Sequence, residues 1–321
     1  MNRFLQLIGF VFFMLMISDT AIAQNYPSRP IKIIVGFPPG GGSDAMARIM
    51  ASALSTELKV AVTVENKVGA GGVIGTDFLA KSAPDGYTLQ LATPGSYTIA
   101  PSLRKLPYDP VKDIQPVCML ATYPNLIVAS TASGITSLAD LVAKAKADPS
   151  RFNFASSGNG TTPHLAFEYF NMVAGVKITH IPYKGNGPAI ADLLAGQVHL
   201  TVADPLPLLP HIQSGKIKAL ALTTKARSGF LPNFPSMTEL GFPQYDVPLW
   251  LGITAPAGLP EPVLVRLNDA ISKIMANPEI IEKFAAGGMD AGYTPASTYS
   301  KIMAEERIRW ADVIKRNNIT D

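Results

Sequence analysis

Short apolar runs alternate along the chain with segments whose apolar residues recur at helical spacing. Residues 31–35 are mostly β-branched and predict a buried strand, and apolar positions three and four apart in residues 45–58 predict a helix. Further strands are predicted at residues 60–64, 87–92, 126–130, 177–181, 198–202, 218–223 and 249–254. Helices are predicted near Met237 and at residues 261–275, 278–284 and 297–317. This alternation is typical of an α/β fold with a parallel sheet.

Two glycine-rich turns each join a predicted strand to a predicted helix. The first is at residues 38–43, where Ser43 is expected to be the N-cap of the helix. The second is at residues 156–162, where Thr162 is expected to be the N-cap. A helix N-terminus offers free N–H groups and the positive end of its dipole, so each turn suits a carboxylate or a phosphate. Glycine that is needed only for tight packing is the alternative.

A third turn, at residues 93–96, also follows a predicted strand. Because ligands of such sheets lie beyond the carboxyl ends of the strands, this turn and the first glycine turn are expected to reach one crevice. The second glycine turn lies far along the chain and repeats the same order of strand, turn and helix. We therefore predict two lobes, each directing a helix N-terminus at a shared cleft.

Composition and charge exclude several classes of function. The 321 residues carry a formal net charge of +3, only 16% are charged, and no basic run is present, so nucleic acid is not an expected partner. The one cysteine, Cys118, lies in an apolar run and predicts a buried, inert thiol. Four scattered histidines offer no zinc spacing. We therefore predict no metal and no cofactor.

The first residues resemble an export signal. Arg3 precedes a mostly apolar stretch at residues 4–17, and Ala21-Ile22-Ala23 fits the rule for a cleavage site. Residues 1–23 are thus predicted to be a signal peptide that is cleaved before Gln24, with an uncleaved anchor helix as the alternative. No later stretch is apolar enough to predict a membrane span.

Catalysis has little support in the sequence. His164 lies near several hydroxyl side chains, but no Gly-x-Ser-x-Gly elbow is present. The first glycine turn also lacks the Gly-Lys-Ser/Thr ending of a P-loop. We predict no catalytic residues and no enzyme. An exported α/β enzyme that acts on an organic acid is the rival hypothesis.

An ordered set of motifs extends over nearly the whole chain after residue 24. They lie at residues 26–31, 36–44, 64–67, 69–72, 83–89, 182–185, 187–189, 192–198 and 255–260. In this order they resemble the substrate-binding receptors of tripartite tricarboxylate transporters, the Bug-type extracytoplasmic solute receptors. Each motif alone is modestly specific, whereas the ordered set is very specific.

The resemblance implies a type II periplasmic binding fold with two lobes and the ligand cleft between them. Residues 24–123 and 248–321 would form one lobe and residues 124–247 the other, with hinges near residues 121–126 and 245–249. The implied function is capture of a small organic carboxylate in the periplasm by a monomer, which delivers it to the membrane subunits of the transporter. A sensor subunit that presents its ligand to a membrane kinase is the alternative.

The resemblance also implies ligand contacts in five parts of the chain. Carried over by position, they are Phe37, Gly40, Gly41, Gly42, Ser43, Asp44, Gly95, Ser96, Ser157, Asn159, Gly160, Thr161, Thr162, Tyr183, Lys184 and Asp204. Pro94-Gly95 stands where many relatives have Asn-Gly, so from that turn the resemblance implies backbone contacts and not side-chain contacts. Backbone N–H groups would hold the carboxylate, and side chains such as Phe37, Tyr97, Tyr183 and Asp204 would set specificity.

Overall fold

Two β-sheets flanked by helices form the framework of the computed structural model, which describes residues 26–320. The strands are β1 (Ile31–Val35), β2 (Val62–Asn66), β3 (Thr88–Ala92), β4 (Ile114–Tyr123), β5 (Leu126–Ser130), β6 (Asn153–Ser156), β7 (Thr179–Pro182), β8 (Leu200–Ala203), β9 (Ile217–Leu222), β10 (Leu249–Pro256) and β11 (Asp290–Pro295). The α-helices are α1 (Gly42–Leu58), α2 (Val73–Ala80), α3 (Ala100–Leu103), α4 (Leu138–Ala147), α5 (Thr162–Ala174), α6 (Asn186–Leu194), α7 (Pro205–Gln213), α8 (Glu261–Met275), α9 (Pro278–Ala286) and α10 (Ala296–Arg316). A π-helical turn, Gly95–Ile99, precedes α3.

The first sheet has six strands in the order β11-β4-β10-β3-β1-β2. Strands β2, β1 and β3 are parallel, so the chain leaves all three at one edge, whereas β10 and β11 run antiparallel to their partners. Ile31, Ile33 and Val35 of β1 pack into a core with apolar residues of α1 and α8. This burial accounts for the β-branched run that predicted the strand.

The second sheet has five strands in the order β7-β6-β8-β5-β9, all of them within residues 126–222. Strands β7, β6 and β8 are parallel, and β5 runs antiparallel to β8 and β9. Its largest core includes three fully buried phenylalanine rings, Phe154, Phe167 and Phe170. Because β6, β7 and β8 are parallel, their carboxyl ends lie at one edge of this sheet.

The chain passes between the sheets at Pro124-Asn125 and again at residues 223–248, and Thr223 joins these two passages. Its hydroxyl accepts from the Asn125 N–H (2.9 Å) and donates to the Val247 carbonyl (3.0 Å). Its backbone is hydrogen-bonded to both Asn125 and Val247. The side chain of Asn125 is buried, and neither of its polar atoms has a hydrogen-bond partner among residues 26–320.

Helix α10 connects the two sheets. Tyr299 and Met303 in its first half pack with Trp250 of β10, whereas Trp310 and Val313 in its second half are buried in the core of the second sheet. Between them lies Glu306, whose buried carboxylate accepts from the Thr98 hydroxyl and the Trp250 indole, both at 3.0 Å. Burial raises the pKa of Glu306, and the positive charge of Arg309 opposes that effect.

The α/β fold is as predicted, but two strands and two helices are not. Strands β4 and β11 and the short helix α3 were not predicted, and turns replace the helix expected near Met237. Strand β4 contains Pro116, which usually argues against a central strand. Here the register between β4 and β10 shifts beside Pro116, and this irregularity accommodates the missing N–H group. Cys118 lies on the same strand, buried as expected.

We expect Glu306→Ala to lower the free energy of unfolding by roughly 3–5 kcal/mol, because it leaves the Trp250 and Thr98 donors and the Arg309 charge without their buried acceptor. Urea unfolding measures the change. The matched control is Glu305→Ala on the exposed face of the same helix, which should remain close to wild type. Equal losses in the two variants would show that Glu306 has no special role.

Candidate functional site

The first glycine turn connects β1 to α1 and is exposed at residues 38–42. Gly40 has a φ of +82°, a conformation that glycine adopts readily. Helix α1 begins at Gly42, and no described side chain caps it, so the prediction that Ser43 is the N-cap is wrong. Gly41 takes that position because its backbone is extended and its carbonyl already accepts from the Ala45 N–H.

Asp44 holds this turn in place. Its carboxylate is 3% exposed and accepts from the Gly40 N–H (3.0 Å), from Asn66 Nδ2 (2.9 Å) and from two nitrogens of Arg48 (2.9 and 3.0 Å). The same Asn66 amide donates to the Phe37 carbonyl. The hydrogen bonds from Arg48 are the main cause of a pKa for Asp44 of about 2. A ligand donor would have to replace one of these bonds to reach Asp44.

The second glycine turn connects β6 to α5. Gly158 and Gly160 have φ values of +136° and +67°. Thr161 is the N-cap of α5 without a capping side chain among the described residues, so Thr162 is the first helical residue and its prediction as N-cap is wrong. The Thr161 hydroxyl instead donates back to the Gly158 carbonyl (2.7 Å).

His164 holds the second turn as Asp44 holds the first. Its Nδ1 atom accepts from the Gly160 N–H at 3.1 Å. In both turns a positive-φ glycine precedes the N-cap, and the side chain of the third helical residue accepts from that glycine N–H. Sequence reasoning missed this equivalence, although the shared signal, a glycine four residues before a side chain that can accept, is visible in the sequence.

Helix α4 differs from the helices after the two glycine turns because its N-cap side chain forms a capping hydrogen bond. Its third residue, Asp140, also accepts from the backbone N–H before the N-cap (Thr136, 2.8 Å). However, the Ser137 hydroxyl of its N-cap accepts from the Asp140 N–H and so satisfies part of the helix end. Because no side chain among residues 26–320 caps α1 or α5 in this way, the first N–H groups of these helices are available to an anion.

Two further turns lie beside the first glycine turn. A Cβ atom on Gly72 would lie 3.4 Å from the Ser96 hydroxyl and 3.8 Å from the Phe37 ring, and one on Gly95 would lie 3.1 Å from the Gly71 carbonyl. The Ser96 hydroxyl is buried and accepts from Thr76 (2.8 Å). Gly95 and Ser96 are thus near the first turn, and the Ser96 side chain points into the protein.

Tyr97 does not belong to a ligand site. Its ring is fully buried, and its hydroxyl is hydrogen-bonded to Gln90 and Thr254 between the strands β3 and β10. The expectation that its side chain sets specificity is therefore wrong. Phe37, by contrast, is half-buried against the core of the first sheet and stays at the surface of the turn.

The second glycine turn lies beside the turn after β7. The Tyr183 and Gly185 N–H groups donate to the carbonyls of Ser156 (3.0 Å) and Ser157 (3.2 Å). The Tyr183 hydroxyl donates to Asp192 (2.6 Å), and this bond raises the pKa of Tyr183 to about 12. Asn159 and Lys184 are exposed.

Asp204 follows β8 at the same edge of the sheet. It is the N-cap of α7, yet its carboxylate does not cap that helix and instead has a long contact of 3.5 Å with Asn186 Nδ2. The residue is partly buried, and burial raises the pKa of its carboxyl group. Burial, followed by the charge of Asp204, raises the pKa of Tyr123 at the end of β4 in the first sheet.

The two halves meet at Gly160. A Cβ atom there would lie 2.3 Å from Leu103 Cδ1 of α3. A larger residue would also be strained by the positive φ, so Gly160→Val would disturb packing together with any ligand binding.

No group of three or more His, Cys, Asp or Glu side chains that could hold a metal ion is found in residues 26–320. Within the same range, no helix is long and apolar enough to cross a membrane.

Comparison with known proteins agrees with this architecture. The model of the "Tripartite tricarboxylate transporter family receptor" family matches residues 46–319. Protein BugT of Bordetella pertussis is 39% identical over 318 residues, which cover 98% of this chain and 97% of that protein. Among solved structures, Rpa4515 of R. palustris with adipate is 33% identical with a TM-score of 0.80, covering 92% of this chain and 99% of that one.

A second solved relative also holds a carboxylate. MatC from Rhodopseudomonas palustris with bound malate is 29% identical with a TM-score of 0.77, covering 90% of this chain and all of that one. The α/β fold with two sheets is thus that of periplasmic binding proteins. The chain belongs to the tripartite tricarboxylate transporter receptor family.

Proposed function

We propose that this protein captures a small organic carboxylate in the periplasm and delivers it to the membrane subunits of a tripartite tricarboxylate-type transporter. The observation that carries the proposal is the pair of equivalent glycine turns, each of which opens a helix without a side-chain cap. The adipate and malate held by the two relatives support the ligand class. The predicted signal peptide, residues 1–23, lies outside the described residues.

The carboxylate would be anchored by backbone N–H groups of both turns. Gly40 to Ser43 would contribute from one side, and Ser157 to Thr162 from the other. Asp44 places a negative charge near the first turn, but its ion pair with Arg48 offsets that charge, so the helix end can still attract an anion. Phe37, Gly95, Ser96, Tyr183 and Lys184 would surround the remainder of the ligand.

Asp204 would select what the ligand carries beyond its carboxylate. A partly buried carboxyl group with one long contact has unused acceptor capacity. A hydroxyl or ammonium group on the ligand would supply the missing hydrogen bond. Asp204 would accordingly favour hydroxy acids or amino acids over plain dicarboxylates.

Closure of two lobes around the ligand is part of the proposal. Residues 24–123 with 248–321 would form one lobe and residues 124–247 the other, with Thr223 joining the two passages between them. Because the chain crosses between the two sheets at these passages, they suit a hinge.

A sensor subunit that presents the same ligand to a membrane kinase would use the same binding site. The enzyme hypothesis has one observation in its favour, since Ser156 Oγ and His180 Nε2 are 2.6 Å apart, as a nucleophile and its base would be. However, Ser156 is fully buried beneath the second turn, so a substrate has no access to its hydroxyl. The receptor hypothesis is therefore favoured.

A thermal-shift panel of adipate, malate, succinate, citrate and inorganic phosphate tests the proposed function. A hundredfold excess over the dissociation constant stabilises the folded state by about 2.7 kcal/mol, so at least one carboxylate should raise the Tm by on the order of 5–10 °C. Phosphate is the control for general anion binding. The proposal would be contradicted if phosphate alone raised the Tm, or if no carboxylate in a broader panel of organic acids raised it.

Asp44→Asn should reduce the affinity for the best carboxylate by roughly tenfold, because the amide cannot accept all the bonds that fix the first turn. Asp140→Asn is the matched control, since it weakens the same N-terminal bond in a helix away from the proposed site. Isothermal titration calorimetry should show wild-type affinity for this control. If both variants bind as tightly as wild type, the first turn does not hold the ligand.

A further inference from the structure

His164 is a buried acceptor beneath the second glycine turn. The Gly160 N–H donates to Nδ1, so the neutral ring must carry its proton on Nε2. A protonated ring would place an N–H on Nδ1 and face the Gly160 donor with a second donor. The hydrogen bond that fixes this turn therefore exists only while His164 is neutral.

A second histidine supports the other end of the same turn. His180 of β7 stacks on His164 with 3.7 Å between ring centroids and 10° between ring planes. Its Nε2 atom is 2.6 Å from the Ser156 hydroxyl, which in turn accepts from the Gly158 N–H at 3.1 Å. The stacked pair thus contacts the turn directly at Gly160 and, through Ser156, at Gly158.

The surroundings of the pair favour the uncharged rings. Phe154 of β6 stacks on His180 at 4.8 Å, and Leu103 of α3 covers Gly160. On α5 itself, Glu168 lies 3.9 Å from His164 Nε2, and burial raises its pKa. The charge of the stacking partner His180 disfavours a protonated His164 ring, whereas a charge on Glu168 would favour it.

Both histidines are weak bases in this environment. Burial, followed by the charge of His180, lowers the pKa of His164 to about 3, and burial lowers the pKa of His180 to about 4. An unfolded histidine has a pKa near 6.5. The folded state therefore gains stability from the neutral pair above that pH and loses it progressively as the pH falls from about 6.5 to the folded pKa values.

The first turn has no such sensitivity. Asp44 performs the same task with a carboxylate whose pKa is about 2, so it stays ionised throughout this range. The two turns are therefore built alike and differ in the charge of the acceptor. A neutral acceptor under the second turn adds no negative charge where an anion is to bind.

We propose that His164 is a positioning residue for the ligand, that its neutral ring fixes the second glycine turn, and that protonation of the stacked pair frees this turn and weakens ligand binding. The weakening of ligand binding rests on the proposed function, whereas the effect of protonation on the turn does not. The link between His164 and Gly160 can be measured without any ligand.

The direct experiment follows the Gly160 amide of the ligand-free protein by NMR from pH 7 down to pH 3, the pH at which about half of the His164 rings are protonated. Its resonance should move with the titration of the His164 ring, while the Gly40 amide, held by Asp44, stays in place as the internal control. In His164→Gln, whose amide oxygen can accept but does not titrate, the Gly160 resonance should no longer move. A Gly160 amide that ignores the titration in wild type would overturn the proposal.

The consequence for binding is tested with malate and adipate on wild type, His164→Gln and the control His211→Gln, which changes a histidine on α7. Loss of one hydrogen bond corresponds to about fivefold in affinity. Between pH 7 and pH 3, wild type and His211→Gln should lose up to about this factor more than His164→Gln, since protonation of the ligand itself is common to all three. Identical pH profiles would overturn the role in binding. If neither anion binds at pH 7, the proposed function fails for them, and the amide titration still decides the role of His164.

Discussion

The site depends on two equivalent hydrogen bonds, one in each half of the protein. In each half of the protein, a side chain in the first turn of a helix accepts from the N–H of a glycine just before that helix. Asp44 and His164 are these acceptors, and Gly40 and Gly160 are the donors. Each bond fixes a left-handed glycine without using the helix N–H groups, which a capping hydroxyl would otherwise occupy.

The remaining structure keeps these two turns at the edges of their sheets and connects them. The first turn is tied to its neighbours through Asn66, which joins the end of β2 to Phe37 and Asp44. The second is tied to the turn after β7 through backbone bonds to Ser156 and Ser157. Helix α10 and the buried Glu306 then join the first sheet to the second. Thr98 and Trp250, two partners of that carboxylate, tie α10 to the first sheet, while the chain itself passes between the sheets near Thr223.

Much of the fold could be predicted because buried faces require apolar residues at the spacing of a strand or a helix. Strand β1 and helices α1 and α8 show this spacing clearly. Strand β4 does not, because Pro116 argues against a strand and only the tertiary irregularity opposite β10 permits it. The N-caps were misplaced by one or two residues, since Ser43 and Thr162 are good caps by residue type, while the backbone of Gly41 and Thr161 already satisfies the geometry.

Side-chain direction was the part of the site that the sequence could not supply. Tyr97 and Ser96 lie in a turn that follows a strand, as a site residue would, yet both side chains enter the core because Gln90, Thr254 and Thr76 offer partners there. For His164, the sequence did not reveal that the side chain supports a turn. Its position near hydroxyl residues raised the question of catalysis, and its contacts instead make it a support for the turn.

The central claim is that one carboxylate binds to both turns and so draws the two halves together. Small-angle scattering with and without the carboxylate that gives the largest thermal shift tests it directly. The account predicts a clear fall in the radius of gyration at saturating ligand, because neither turn alone completes the site. An unchanged radius would mean that the site is preformed or lies within one half, and would contradict the account.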